Sequence, residues 1–478
     1  MSPPIPLPFH TPDWVKHAVF YQIFPDRFAN GDTASDPENV QPWGAPPTFN
    51  SFMGGDLQGI IDRLDYLADL GVNALYLNPI FLSSSNHKYH TDDYYRIDPR
   101  FGDMDAFRRL IDAAHARSMR VILDGVFNHA GRGFFAFTDI LENEGASPYL
   151  KWFHVTGLPL HAYDGSKPAN YEAWWGMRAL PKFNTDHPPV RRYLLDVARY
   201  WIAQGADGWR LDVPNEIADH TFWQAFRDVV KEENPDAYIV GEIWNDASPW
   251  LDGTQFDAVM NYVFRDLCRD FFARDALRTD EFAAAIDALI QRYPREATLA
   301  QLNLFGSHDT ARFRTEAGGD VRRMRPTTLF QMTFPGAPCI YYGDEVGLEG
   351  GGDPHCRGCF PWDERHWDHG LRDYIKRCVA IRNAHPALRT GEWRTLSARG
   401  NLRLYAYARW DARERLVVVL NARETTRTLD VPLHDVPISE HARLTDLLSG
   451  ETYVARGGRI EGVTVPAWGG VVLHYDAI

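Results

Sequence analysis

The sequence predicts an α/β protein built on a (β/α)8 TIM barrel, with a loop-rich subdomain inserted after strand 3 and a C-terminal antiparallel β-sandwich. Three observations predict it. Short apolar runs alternate with helical patterns from about Val19 to Leu388. The alternation stops between about Ala130 and Asp186, where Gly, Pro, Trp and Phe dominate and no helix is expected. After about Thr390 the apolar pattern turns to period two. The chain divides accordingly into a first barrel part, 1–129, an inserted subdomain, 130–186, a second barrel part, 187–389, and a C-terminal domain, 390–478.

The elements follow in order. Ala18–Phe24 reads as a strand, and Leu57–Leu70 has apolar residues at helical spacing. Asn73–Leu77 is strand-like, Asp105–Ala116 helical, and Arg120–Leu123 strand-like again. The helices Val190–Gln204 and His220–Glu233 precede the runs at Gly208–Arg210 and Tyr238–Val240. Phe256–Asn261, Leu302–Gly306 and Cys339–Tyr342 complete eight strands, which suits a closed barrel better than an open sheet. Leu402–Ala408, Leu416–Asn421 and Val471–His474 are the clearest sandwich strands.

Composition narrows the partners. The 478 residues carry a formal charge of −14, which argues against nucleic acid and against an anionic membrane. No apolar run approaches membrane-spanning length. Met1–Pro8 lacks the basic and apolar regions of a signal peptide, so a cytoplasmic location is expected. The five cysteines are an odd count and suit a reducing compartment. The Cys356–Cys359 pair reads first as loop packing, ahead of a local disulfide and of half a zinc site.

Four strand-end segments carry the chemistry: Asp124–His129, Gly208–Asp212, Val240–Trp244 and Phe305–Asp309. Residues at the C-terminal ends of barrel strands converge on one pocket. Asp212 follows Arg210 by two residues, so both sit on one strand face, and the Arg is expected to keep the Asp ionised. Such a carboxylate suits a nucleophile, although an Arg–Asp pair is also a common structural feature. Glu242, beside Trp244, is expected to be desolvated and to serve as acid and base. Asp309 suits stabilisation of an oxocarbenium-like state, and His129 and His308 suit sugar hydroxyls. Together these groups point to glycosidic bond cleavage.

These segments resemble the signature regions of glycoside hydrolase family 13, the α-amylase family, and Gln22–Phe28 and Tyr341–Glu345 add to the likeness. The resemblance implies that Asp212 is the nucleophile, Glu242 the acid/base and Asp309 the transition-state stabiliser, with retention of configuration. It places Arg210, His129 and His308 around the reacting glucose, with Tyr89 stacked beneath it. Leu180–Asn184, Gly241–Trp250 and Asp212–Glu216 are similar to the neopullulanase, cyclomaltodextrinase and maltogenic amylase group. That implies cleavage of α-1,4 bonds in maltooligosaccharides, cyclodextrins, starch or pullulan, mainly to maltose, with some transglycosylation. Glu216, Trp174 and Trp175 become candidates for the acceptor side. The alternatives are a transferase or isomerase of the same family, an α-glucosidase, or a non-catalytic sugar-binding relative. The group usually carries an additional N-terminal domain that forms a dimer. This sequence begins close to the first barrel strand, so a monomer is expected. Asn30, Asp32, Ser35, Asp36, Gly54 and Asp56 form an oxygen-rich segment that resembles the group's calcium site. Calcium is therefore expected in a structural role, with no organic cofactor.

Overall fold

The computed structural model describes residues 9–476. The Met1–Pro8 segment, and with it the reading of the N-terminus, lies outside the described residues. Eight parallel strands form the barrel: β1 (Phe20–Ile23), β2 (Ala74–Leu77), β3 (Arg120–Gly125), β4 (Gly208–Leu211), β5 (Tyr238–Gly241), β6 (Ala258–Val259), β7 (Leu302–Leu304) and β8 (Ala337–Tyr341). They run in the order β6-β5-β4-β3-β2-β1-β8-β7, and a parallel bridge from Met260 to Leu302 closes the ring. Phe20, Tyr76, Ile122, Tyr238, Met260 and Leu304 fill the interior. The strands are mostly apolar because helices cover their outer face. Gly208 is needed where β4 meets β5, since a Cβ there would fall 2.2 Å from the Tyr238 carbonyl oxygen.

Three local expectations are corrected. The Leu57–Leu70 helix is two helices, Leu57–Asp62 and Leu64–Leu70, with a pause at Arg63. The insert contains a helix of its own, Phe135–Asn143, because Ala136, Phe137 and Ile140 give it a buried face. The insert folds back on the third strand end through antiparallel bridges that include His129 with Lys182 and Ala173 with Pro181. A hairpin of Phe81–Ser83 and Thr91–Ile97, absent from the sequence reading, carries Tyr89 in its turn. Lys88, buried in that turn, pairs with buried Asp98 at 2.9 Å and lies over the Phe101 ring at 4.8 Å. A buried charge is tolerated only when paired, so the pair fixes the loop that presents Tyr89.

The C-terminal strands are β9 (Glu392–Ala398), β10 (Leu404–Trp410), β11 (Glu414–Asn421), β12 (Arg427–Pro432), β13 (Arg443–Asp446), β14 (Thr452–Arg456), β15 (Arg459–Val465) and β16 (Gly469–Asp476). All are antiparallel, in the order β9-β10-β11-β16-β13-β14-β15-β12. Val417, Val419, Val431, Leu444, Val463 and Leu473 form its own core. Arg409 of β10 fastens this domain to the barrel. Buried, it donates to the carbonyls of Thr333 (2.7 Å), Leu388 (2.8 Å), Gly391 (3.2 Å) and Glu392 (3.1 Å). Arg409→Met keeps the stem but orphans these carbonyls. It is expected to lower unfolding free energy by about 2–4 kcal/mol, read from the urea midpoint. A change within error would show that the contact carries no stability.

Candidate active site

The site forms at the C-terminal ends of the strands. Asp124 of β3 and Arg210 of β4 stand in register, and Arg210 Nη1 donates to Asp124 Oδ1 at 2.7 Å. The same nitrogen reaches Asp212 Oδ1 at 3.1 Å, and Nη2 lies 3.0 Å from Glu242 Oε2. One fully buried guanidinium therefore holds carboxylates from three successive strand ends. Asp124 Oδ2 also accepts the hydroxyls of Tyr76 (2.8 Å) and Tyr89 (2.7 Å).

Backbone strain sets Glu242. Val213 has a left-handed backbone (φ 35°, ψ 50°), costly for a β-branched residue before proline. In that conformation its N–H donates to Glu242 Oε2 at 3.1 Å. Trp244 Nε1 donates to Oε1 at 3.2 Å, and its ring stacks on Tyr262 at 3.8 Å. The indole is thus a hydrogen-bond partner of Glu242 and not only the apolar shield expected from the sequence.

Asp309 stands across the site, 32% of its side chain exposed. Arg357 Nη2 reaches its Oδ1 at 3.3 Å and Arg357 Nε donates to the His308 carbonyl at 2.8 Å. Two amide nitrogens, Gln22 Nε2 at 3.0 Å and Asn78 Nδ2 at 3.1 Å, face His308 Nδ1. Both are donors, so Nδ1 accepts and the proton sits on Nε2. From there it faces the Tyr89 hydroxyl at 2.7 Å and Asp309 Oδ2 at 3.0 Å. Burial holds His308 well below the usual imidazole range, so it is neutral. Tyr89 is half-buried, its ring parallel to His308 at 5.3 Å.

Arg210 favours the ionised form of Asp212, as the spacing suggested, but burial opposes it. Burial first, aided by the charges of Glu242, Asp124 and Asp309, pushes Asp212 well above the usual carboxyl range despite Arg210. Arg210 serves three acids at once, so its charge is shared among them. Asp309 is pushed up to about 7 by burial and the charge of Glu242, with Arg357 and Arg210 opposing.

His129 sits at the neighbouring edge of the site, buried and pushed down to about 3 by desolvation. It stacks with Trp174 at 5.6 Å, and Trp174 stacks with Trp175 at 4.7 Å. Trp175 is 75% exposed and left-handed (φ 49°). Both tryptophans, with Glu172, Lys182 and Glu216, line an open cavity of about 600 Å³. Sequence reasoning missed Asp124, Asn78, Gln22 and Arg357. Asp124 opens a segment whose His129 drew attention, and Arg357 lies inside the cysteine pair. All five cysteines are free and buried, so Cys356 and Cys359 form no disulfide.

The oxygen-rich segment splits in two. Asn30 Nδ2 donates to Asp36 Oδ1 at 2.9 Å, and a Cβ on Gly54 would collide with both side chains. These three fit one hard cation once the Asn30 amide presents its oxygen. Asp56 instead accepts the N–H groups of Gly31, Asp32 and Gly59, while Asp32 caps Ala34 and Ser35 donates to the Asp32 carbonyl. Those three fasten the loop.

Residues 22–376 match the family "Alpha amylase, catalytic domain", and residues 393–472 match "Neopullulanase-like, C-terminal domain". Cyclomaltodextrinase from Bacillus sp is 51% identical over 423 residues, covering 88% of this chain and 75% of that protein. The chain resembles the cyclic alpha-maltosyl-(1→6)-maltose hydrolase of Arthrobacter globiformis in complex with that sugar (TM-score 0.89, 42% identity). The likeness covers 97% of this chain and 100% of that one. The debranching enzyme of Nostoc punctiforme is similar as well (TM-score 0.88, 47% identity), over 98% of this chain and 100% of that one.

Because the Asp309 carboxyl titrates higher in the fold than its ordinary 3.8, its ionisation costs stability. That cost is small below pH 4 and grows as pH rises towards about 7. Asp309→Asn is expected to melt above the wild type near pH 8, with the gap narrowing as pH falls. A gap independent of pH in thermal melts would rule out charge as its cause.

Proposed function

The chain belongs to the α-amylase family of glycoside hydrolases, and from that premise we propose that it hydrolyses α-1,4-glucosidic bonds with retention of configuration. The proposed substrates are cyclodextrins, maltooligosaccharides, starch or pullulan, with maltose as the main product and some transfer to sugar acceptors. The observation that carries this reading is the clamp of Arg210 on Asp124, Asp212 and Glu242, with Asp309 across the cleft.

Glu242 acts as the general acid. Its Oε2 is committed to Arg210 and the Val213 amide. Oε1, held only by the half-exposed Trp244 indole, is free to carry the proton to the leaving glycosidic oxygen. Asp212 attacks the anomeric carbon and forms a glycosyl ester as that bond breaks. Glu242, now a carboxylate, takes a proton from the incoming water, which displaces Asp212. Asp309, and neutral His308 donating through Nε2, bind sugar hydroxyls as positive charge develops on the ring. Tyr89 supplies the stacking face beside His308. Glu216, Trp174 and Trp175 receive the acceptor side of the chain.

Initial rates on β-cyclodextrin, soluble starch, pullulan and cyclic maltosyl-(1→6)-maltose, with products identified, test this reading. Release of no sugar from any of them would refute it. Asp212→Asn should lower turnover by about 10⁴-fold or more with an unchanged circular dichroism spectrum; near-normal turnover would remove the nucleophile assignment.

Calcium is proposed as a structural ion at Asn30, Asp36 and Gly54, outside the chemistry. Chelator treatment should lower the melting temperature, and added calcium should restore it in the wild type but not in Asp36→Asn. An unchanged melting curve with chelator would exclude the ion.

A further inference from the structure

Far along the chain from the catalytic groups, three side chains meet where the last barrel helices join the sandwich. His385 immediately precedes helix Pro386–Thr390, Glu414 opens β11, and His474 lies on β16. His474 pairs in register with Leu416, two residues from Glu414, so strand geometry sets both on one face. His385 Nδ1 lies 2.6 Å from Glu414 Oε2, and His474 Nε2 lies 3.3 Å from the same oxygen. The other oxygen, Oε1, accepts the Ala387 N–H at 2.9 Å. The side chains are 15%, 9% and 17% exposed. Among the described residues this is the group of His, Cys, Asp and Glu whose ligand atoms converge within 4.8 Å.

We propose that His385, Glu414 and His474 form an interdomain binding site for a borderline divalent transition metal, with zinc as the reference ion. Two imidazoles and one carboxylate, with a fourth position left for water, are a recurrent zinc set. In a tetrahedron with bonds of about 2.0 Å, ligand atoms stand roughly 3.3 Å apart. The His474–Glu414 separation already matches, and the His385–Glu414 separation opens by rotation of partly exposed rings. The Ala387 amide holds the far carboxylate oxygen, as an outer partner orients a ligand. On binding, each imidazole moves its proton to the other ring nitrogen and offers the freed lone pair to the metal, so no net charge is lost. The nearby Arg389 guanidinium faces Glu414 and tempers the affinity. A bound ion would tie the barrel helices to two sandwich strands. The site is independent of the glucan reading.

The test is zinc titration of chelator-treated full-length enzyme by calorimetry, with thermal melts alongside. One zinc per chain is expected, with a rise in melting temperature. His385→Ala and His474→Ala should bind that ion at least about 100-fold more weakly and lose the thermal response. His87→Ala, on the Tyr89 loop, should keep both. Crystals of the wild-type enzyme soaked in zinc should show anomalous scattering between the three side chains, which tests the site without any variant. Absence of that density, or binding unchanged in both His variants, would overturn the proposal.

Discussion

The active site depends on one guanidinium that must serve several masters. Arg210 is fully buried and is the nearest cation to Asp124, Asp212 and Glu242. Parallel pairing places Asp124 beside Arg210, and the next strand end delivers Glu242. Had the register slipped by one residue, Arg210 would point into the helix layer, because successive side chains alternate faces. The barrel core thus acts as the jig that sets the distances among the acids. Its eight strands, closed by the Met260–Leu302 bridge, have no free edge along which that register relaxes.

The same division of charge explains why the site opposes stability. Four acids surround Arg210 and Arg357, so their negative charge is only partly neutralised in a buried setting. The left-handed Val213 adds conformational cost at the strand end. Both features serve preorganisation. The Val213 amide fixes one oxygen of Glu242 and leaves the other facing the Trp244 indole. Compensation comes from elsewhere: buried Arg409 and Arg382 saturate backbone carbonyls at the domain junction, and Lys88–Asp98 secures the hairpin that presents Tyr89. The sandwich thereby steadies the barrel helices without contributing to the cleft.

Legibility in the sequence followed the range of the interactions. The eight barrel strands were visible because each is a short, mostly apolar run in a chain that alternates such runs with helical patterns. The period-two pattern after Thr390 exposed the sandwich for the same local reason. Asp212, Glu242 and Asp309 stood out as acids ending such runs. What stayed hidden depends on contacts across long separations. Asp124 matters because of Tyr76, Tyr89 and Arg210, and Arg357 because of Asp309. The hairpin around Tyr89 was hidden because its stabilising pair, Lys88 and Asp98, reads as ordinary surface charge until both are seen buried. The spacing of two revealed Asp212 as a partner of Arg210 but not Asp124 and Glu242, which share the same guanidinium.

The inserted subdomain is where selectivity is most open to change. Its return residues, Pro181 and Lys182, bridge to Ala173 and His129, so the insert is anchored at the end of the third barrel strand. From that anchor the rings of His129, Trp174 and Trp175 stack outwards into the open cavity with Glu216. A stack transmits position: moving Trp175 changes how Trp174 packs on His129, whereas the acids are held by the barrel and stay in place. Chemistry and recognition are therefore built on different supports. The barrel fixes the acids through strand register, and the insert shapes the tryptophan-lined cavity through loop packing, which sequence can alter without disturbing the Arg210 clamp. Fold-level likeness accordingly speaks strongly to the bond that is broken and weakly to the glucan that is preferred.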